Sequence, residues 1–259
     1  MNDRKRVKKS LRSQYQDYRQ SHTAPGYGAR YNNTYRDGYY AAQWELIEKP
    51  LLREIIAGIG VRIDSCLDFA CGTGRISKVL AEFSPHVTGV DISAEMLKEA
   101  DIPGNVELLE HDLTVKGLGR KFDLATAFRF FLNAEDELNR AALSAIREHL
   151  HEGATLICNI HMASSSPMGL IYRTARKIFG RTIHNVADRR DFERLLMESG
   201  FEVEQVVHYS YLPRPGHYFP RLCKRLILPF ERFARISKFP QGTAQSFLVV
   251  ARKKEGGSN

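Results

Sequence analysis

The sequence predicts a doubly wound α/β domain, a mostly parallel sheet with helices on both faces. Three observations lead there. Short apolar runs, each closed by a polar residue, recur from Ser65 onward; helix-patterned segments lie between them; and a glycine-bracketed turn joins the first run to the helix after it. Continuous apolar runs of this length fit strands buried on both faces. Their alternation with helices implies parallel pairing, because a parallel neighbour is reached only through a crossover.

Residues 1–40 read as a basic, Tyr-rich N-terminal tail and candidate lid, and residues 41–259 as the domain. Residues 1–9 carry five Lys/Arg against one Asp, half of the net charge of +8; such a run is a solvated tail or an anion contact. Tyr31, Tyr35, Tyr39, Tyr40 and Trp44 are dense for an idle linker. They predict a stretch that folds over the site and excludes water, with Tyr39 or Trp44 among its contacts. A helical pattern follows from about Ala41 to Ile59, with Pro50 inside it. Strands are expected at SCLDFA, HVTGVD, VELLEHD, FDLATAF and ATLICNIH. Between the last two, Leu138, Ala142, Ile146 and Leu150 recur at i+4 steps and Gly153 gives a stop, so Glu135–Leu150 is a helix. Asp188 and Asp191 start a helix that ends at Gly200; FEVEQVVHYSYL alternates as a strand, and QSFLVVARK is the seventh. Two basic, aromatic-rich insertions interrupt this order, at about 162–187 and 213–243.

With 43% hydrophobic and 26% charged residues, the 259-residue chain suits one large core. No run of eighteen apolar residues predicts a membrane-spanning helix, and MNDRKRVKKS lacks the apolar stretch of a secretory signal. Cys66, Cys71, Cys158 and Cys223 show neither metal-ligand nor disulfide spacing. They read as reduced thiols of a cytoplasmic protein, and no metal is expected.

The chemistry is carried by CLDFACGTGRIS. An apolar strand ends in Asp68, Gly72 and Gly74 bracket a tight turn, and a helix starts near Arg75. Glycines admit close backbone approach, and a helix N-terminus presents unpaired N–H groups. The next strand ends in Asp91, seventeen residues beyond Gly74, where an acid can accept hydrogen bonds from two ribose hydroxyls. The G-x-G-x-x-G series of nicotinamide enzymes would need glycine where Ser77 stands. Asp68 lies before the turn, which suits a cationic amino acid moiety better than a pyrophosphate. A third strand ends in His111-Asp112-Leu113, suited to an adenine amino group.

At these residues the chain resembles the class I S-adenosylmethionine-dependent methyltransferases, over roughly Leu51–His161, Phe201–Ser210 and Gln245–Lys253. Asp68, Ala70, Gly72 and Gly74 fall on that family's D-x-G-x-G-x-G signature, with Ala70 in place of the first glycine. The resemblance implies a Rossmann-like seven-stranded sheet with the last strand antiparallel, and S-adenosyl-L-methionine as cofactor. It makes Asp91 the ribose acid, Ile92 the apolar neighbour of adenine, Asp112 and Leu113 the adenine side, and Phe128 the lining at the methyl-donor end.

Acceptor groups should emerge from the carboxyl ends of the fourth and fifth strands. These offer Arg129, Asn133 and Glu135, then Asn159 and His161. A hydroxyl acceptor needs a base, for which His161 is the candidate; a carboxylate or phosphate needs none and favours Arg129. Tyr39, Asn133, Arg214 and His217 are the expected acceptor contacts. The chain has FRFF where enzymes that methylate base amines carry D/N-P-P-Y/F, and Cys158 and Cys223 lack the Pro-Cys context of cytosine-C5 enzymes. Nucleic acid is therefore disfavoured as acceptor. The basic, aromatic insertions point instead to an anionic small molecule, glycan or lipid-linked acceptor taken at an oxygen. The alternatives are an RNA or protein methyltransferase, or a non-catalytic cofactor-binding module. Pro213–Lys238 is expected to form two short basic amphipathic helices split at Pro229, able to touch an anionic membrane at its inner surface.

Overall fold

A computed structural model describes residues 18–20, 23–179, 185–212 and 220–255. Seven strands form one sheet: β1 (Ser65–Phe69), β2 (His86–Asp91), β3 (Val106–Glu110), β4 (Phe122–Ala127), β5 (Leu150–Ile160), β6 (Phe201–Tyr209) and β7 (Ser246–Lys253). Their order is β3-β2-β1-β4-β5-β7-β6, with β7 antiparallel to both of its neighbours and the β1, β2, β3, β4 and β5 pairings parallel. The seven strands and the antiparallel last one are as expected. β5 is longer than ATLICNIH because Leu150 already pairs with Phe122, ahead of a register shift.

The sheet separates two apolar layers by strand alternation. Leu67 and Phe69 face one layer and Cys66 the other; on β7, Phe247, Val249 and Ala251 oppose Leu248. The first layer is covered by α6 (Asp136–Glu148), through Leu138, Ala142 and Ile146, and by α8 (Arg189–Glu198), through Phe192 and Leu196. Asp188 caps α8, its carboxylate accepting from the Arg190 N–H. The second layer is covered by α4 (Arg75–Leu80) and by the N-terminal helices α1 (Tyr27–Arg36), α2 (Tyr39–Gln43) and α3 (Lys49–Ala57). A five-residue π-helical stretch, Trp44–Glu48, joins α2 to α3. Pro50 does not break this run; it falls at the start of α3, directly after the π-helical stretch, where the backbone hydrogen-bond pattern changes from the wider turn to the α-helical one.

A short helix α5 (Ala94–Leu97) follows β2. The first insertion forms α7 (Pro167–Phe179), its base tied where Ser164 N donates to Ala187 O and Ala187 N to Met162 O. The second forms α9 (Pro220–Ile236), and here the expectation of two helices fails. α9 runs unbroken through Pro229, which is exposed, while Cys223, Ile227 and Ala234 on another face are buried and hold the helix in place. Packing on that face outweighs one lost backbone hydrogen bond. No helix among the described residues is long and apolar enough to cross a membrane.

Candidate active site

A cavity of about 800 Å³ opens at the carboxyl ends of β1, β2 and β4, where the strand order reverses direction. Its floor is the turn after β1. Ala70, Gly72 and Gly74 all have left-handed φ angles, of 55°, 58° and 74°. Gly72 N donates to Asp91 Oδ2 at 2.8 Å, and Ser93 N donates to Asp91 Oδ1 at 2.8 Å. The carboxylate is thus fixed with lone pairs left over for hydroxyl donors. Burial raises the Asp91 pKa, and the Ser93 and Gly72 amides offset this in part. Asp68 lies beneath the turn, accepting from Ser77 Oγ at 2.6 Å and Thr126 Oγ1 at 2.8 Å; burial pushes its pKa up to about 6.

At the end of β3, Asp112 accepts from Thr114 N and Thr114 Oγ1 at 2.9 and 2.5 Å. Burial works against its charge, but Thr114 and Arg19 hold it below the usual carboxylate range. Ile92, Leu113 and Phe128 supply apolar wall. Gly74 does not line the cavity; a Cβ there would meet Ile102 at 2.8 Å, so this glycine serves the turn and its packing against Ile102.

The other end is built from side chains distant in sequence. Arg129 follows β4 with φ 61°, its N–H donating to Asn159 Oδ1 at 2.7 Å. Glu48, fully buried at the end of the π-helical stretch, accepts from Tyr209 Oη at 2.6 Å and Asn159 Nδ2 at 3.1 Å. It also pairs with Arg129 Nη2 at 3.4 Å and Arg75 Nη1 at 3.7 Å. Burial alone would raise its pKa; the Arg129 and Arg75 charges more than offset that and hold it below the ordinary range. Arg75 is sandwiched between the rings of Tyr35 and Trp44, 4.3 and 4.1 Å from their centroids. Two guanidinium groups therefore share one carboxylate, and the buried Nε of each has no hydrogen-bond partner among the described residues.

Asn133 and His161 line the same cavity, and Asn133 Nδ2 donates to Arg129 O at 2.9 Å. Of the aromatic stretch, Tyr31, Tyr35 and Tyr40 line it. Tyr39 and Trp44 do not: Tyr39 is buried with its hydroxyl 3.0 Å from Ser210 Oγ, and Trp44 stacks on Arg75. The expected Tyr39 contact is corrected by helix phase, which turns Tyr40 inward to the cavity and Tyr39 toward β6. Arg214 and His217 lie outside the described residues. Further forward, Tyr18 N donates to Glu135 Oε1 at 3.0 Å and Arg19 Nε to Asp112 Oδ2 at 3.1 Å, so the chain spans the cavity mouth.

Sequence reasoning missed Glu48, Arg75 and Tyr209 as a unit. One signal was present. Trp44, Ile47, Glu48, Leu51 and Leu52 recur as one helical stripe, and a carboxylate among four apolar neighbours must find partners inside.

Comparison with known proteins identifies the class. Residues 34–206 match a family model described as a methyltransferase domain, more than half of the chain. The chain belongs to the class I S-adenosylmethionine-dependent methyltransferases. In particular, it is 38% identical over 92 residues, 34% of its length, to a cypemycin N-terminal methyltransferase of a Streptomyces species. That match spans 38% of the relative, and a second, to a Geobacillus protein, spans 46%, so the chain aligns with less than half the length of the curated relatives it matches. Among solved structures it resembles magnesium protoporphyrin IX methyltransferase of Synechocystis with S-adenosylmethionine bound, with a TM-score of 0.59 at 17% identity over 91% of this chain and 95% of that one. It also resembles the N-methyltransferase NodS of Bradyrhizobium japonicum with S-adenosylhomocysteine, with a TM-score of 0.57 at 14% identity over 88% and 98%.

The residues present fit the family's cofactor. The cavity offers an anchored carboxylate at Asp91, a second at Asp112, and a turn whose backbone is open to approach. Asp91 and Asp112 would hold the nucleoside, with Ile92 and Leu113 against its base.

Proposed function

We propose that this chain transfers a methyl group from S-adenosylmethionine to an oxygen of an anionic small molecule, glycan or lipid-linked acceptor. When bound, S-adenosylmethionine supplies a methyl on a sulfonium, a good electrophile with a neutral leaving group. The chain's own contribution is alignment and electrostatics. The single observation carrying the acceptor class is that two guanidinium groups, Arg75 and Arg129, line the cavity and, among the described residues, share one carboxylate, Glu48. An anionic acceptor oxygen would offset the remaining positive charge and needs no base, whereas a protonated amine would meet two like charges. If the acceptor oxygen carries a proton, we assign its removal to His161, which lines the cavity.

The N-terminal methyltransferase among the relatives favours a second reading, an amine acceptor on a peptide. Turnover of matched pairs, each acid against its amide and each peptide with a free against a blocked N-terminus, separates the two by S-adenosylhomocysteine release. The acids should react and their amides should not, and Arg129→Gln should remove the preference. Turnover of free-amine peptides alone would overturn the reading.

A further inference from the structure

Nine of the thirteen exposed large apolar side chains among the described residues lie on α7, on α9 or in the turn after α9. On α9 they are ordered. Leu222, Leu226, Pro229, Phe233 and Ile236 recur at alternating four- and three-residue steps, an arc of about 80° at 3.6 residues per turn. Leu222, Leu226, Phe233 and Ile236 are 52%, 45%, 56% and 82% exposed. This stripe is not the face that packs on the protein: Cys223, Ile227 and Ala234, about 120° around the helix, do that.

Along its other side the stripe is flanked by Arg221, Arg225 and Arg232, all exposed. The helix's one acid, Glu231, is turned inward, where it accepts from Ser210 N and Tyr211 N at 3.0 and 3.1 Å. The outward faces of α9 therefore present no carboxylate. A solvated surface helix would account for the arginines and not for the stripe. A partner must accept both side by side over a helix about 25 Å long. An anionic lipid surface does so: the interface takes up the apolar stripe while lipid phosphates meet the arginines. α7 repeats the chemistry, with Leu170, Ile171 and Ile178 exposed beside Arg173, Arg176 and Lys177.

We propose that α9 docks on an anionic membrane surface, seating its Leu222–Ile236 stripe in the interface and its arginines on lipid phosphates. The test is co-sedimentation of the full chain with phosphatidylglycerol–phosphatidylcholine vesicles against phosphatidylcholine alone. Binding is expected on the anionic vesicles only and should weaken with salt. Replacing Arg221, Arg225 and Arg232 together by Ala should lower partitioning about a hundredfold, at about fivefold per basic residue. The pair Leu226→Asp and Phe233→Asp should abolish it with the melting temperature unchanged, because both side chains are exposed. No association with anionic vesicles at low salt, or equal association by the Asp pair, would overturn the proposal. So would concentration-dependent dimerisation without vesicle binding, if the Asp pair abolishes it, since that would assign the stripe to a second copy. The assay needs neither cofactor nor acceptor, so its failure leaves the methyl-transfer reading standing.

Discussion

The two ends of the cavity are built in opposite ways. The cofactor end is made of backbone and strand-end acids: the Ala70–Gly74 turn, Asp91 nineteen residues beyond Gly72, and Asp112 at the end of the next parallel strand. The end proposed for the acceptor is made of side chains that meet across the fold, with Glu48 reaching Arg129, Asn159 and Tyr209 at separations of 81, 111 and 161 residues. The first kind of site is set by local backbone geometry and by acids at strand ends, within a short span of sequence. The second depends on contacts between residues far apart in sequence, so single substitutions there can change its chemistry without touching the turn.

The sharpest test of the cofactor end is Asp91→Ala. Losing two charge-assisted hydrogen bonds to ribose, each worth roughly 1.5–3 kcal/mol, should weaken S-adenosylmethionine binding more than about a hundredfold by calorimetry. Unchanged affinity would mean the acid serves only Gly72 and Ser93. At the acceptor end, Glu48→Ala strips the counter-charge from two buried arginines and should cost about 3–5 kcal/mol. That corresponds to a fall of roughly 10 °C in melting temperature. A melt close to wild type would show that the arginines are neutralised another way.

A smaller effect distinguishes the floor beneath both ends. Asp68 has its folded pKa raised to about 6, above its unfolded value, so the folded state holds the proton more tightly. The stability this contributes is fully present below about pH 4 and is lost as pH rises through about 6. Thermal melts between pH 4 and 7 should therefore show Asp68→Asn without that decline, a difference approaching about 3 kcal/mol. Parallel pH profiles for the two proteins would contradict the burial argument. The mildest change is Ala70→Gly. A non-glycine residue at φ 55° costs roughly 1 kcal/mol, so glycine should raise the melting temperature by about 2–4 °C with cofactor affinity unchanged. A drop would show that Ala70 is packed better than its backbone angle suggests.

The same contrast explains what was legible in the sequence. The strand positions, the helix over 135–150 and the strand-end acids follow from local periodicity and spacing, and those acids do converge on one cavity. Tyr39 was misplaced because a density of tyrosines says nothing about helix phase; one position separates a core hydroxyl on Ser210 from the cavity-lining Tyr40. Arg75 read as the residue that opens a helix, and nothing within ten positions reveals that it lies between two rings of the N-terminal segment. Pro229 was over-weighted because a helix-breaking rule takes no account of the buried face that holds α9 together.

Glu48 also sets an order of events during synthesis. The N-terminal helices leave the ribosome first, carrying a carboxylate whose partners at Arg129, Asn159 and Tyr209 are still to be made. The apolar stripe around it can pack on β1, β2 and β4 beforehand, but Tyr209 reaches it only once β7 is out, because β6 joins the sheet through β7 alone. A nascent chain stalled before β7 can therefore hold a finished Asp91 turn while the wall around Glu48 still lacks Tyr209.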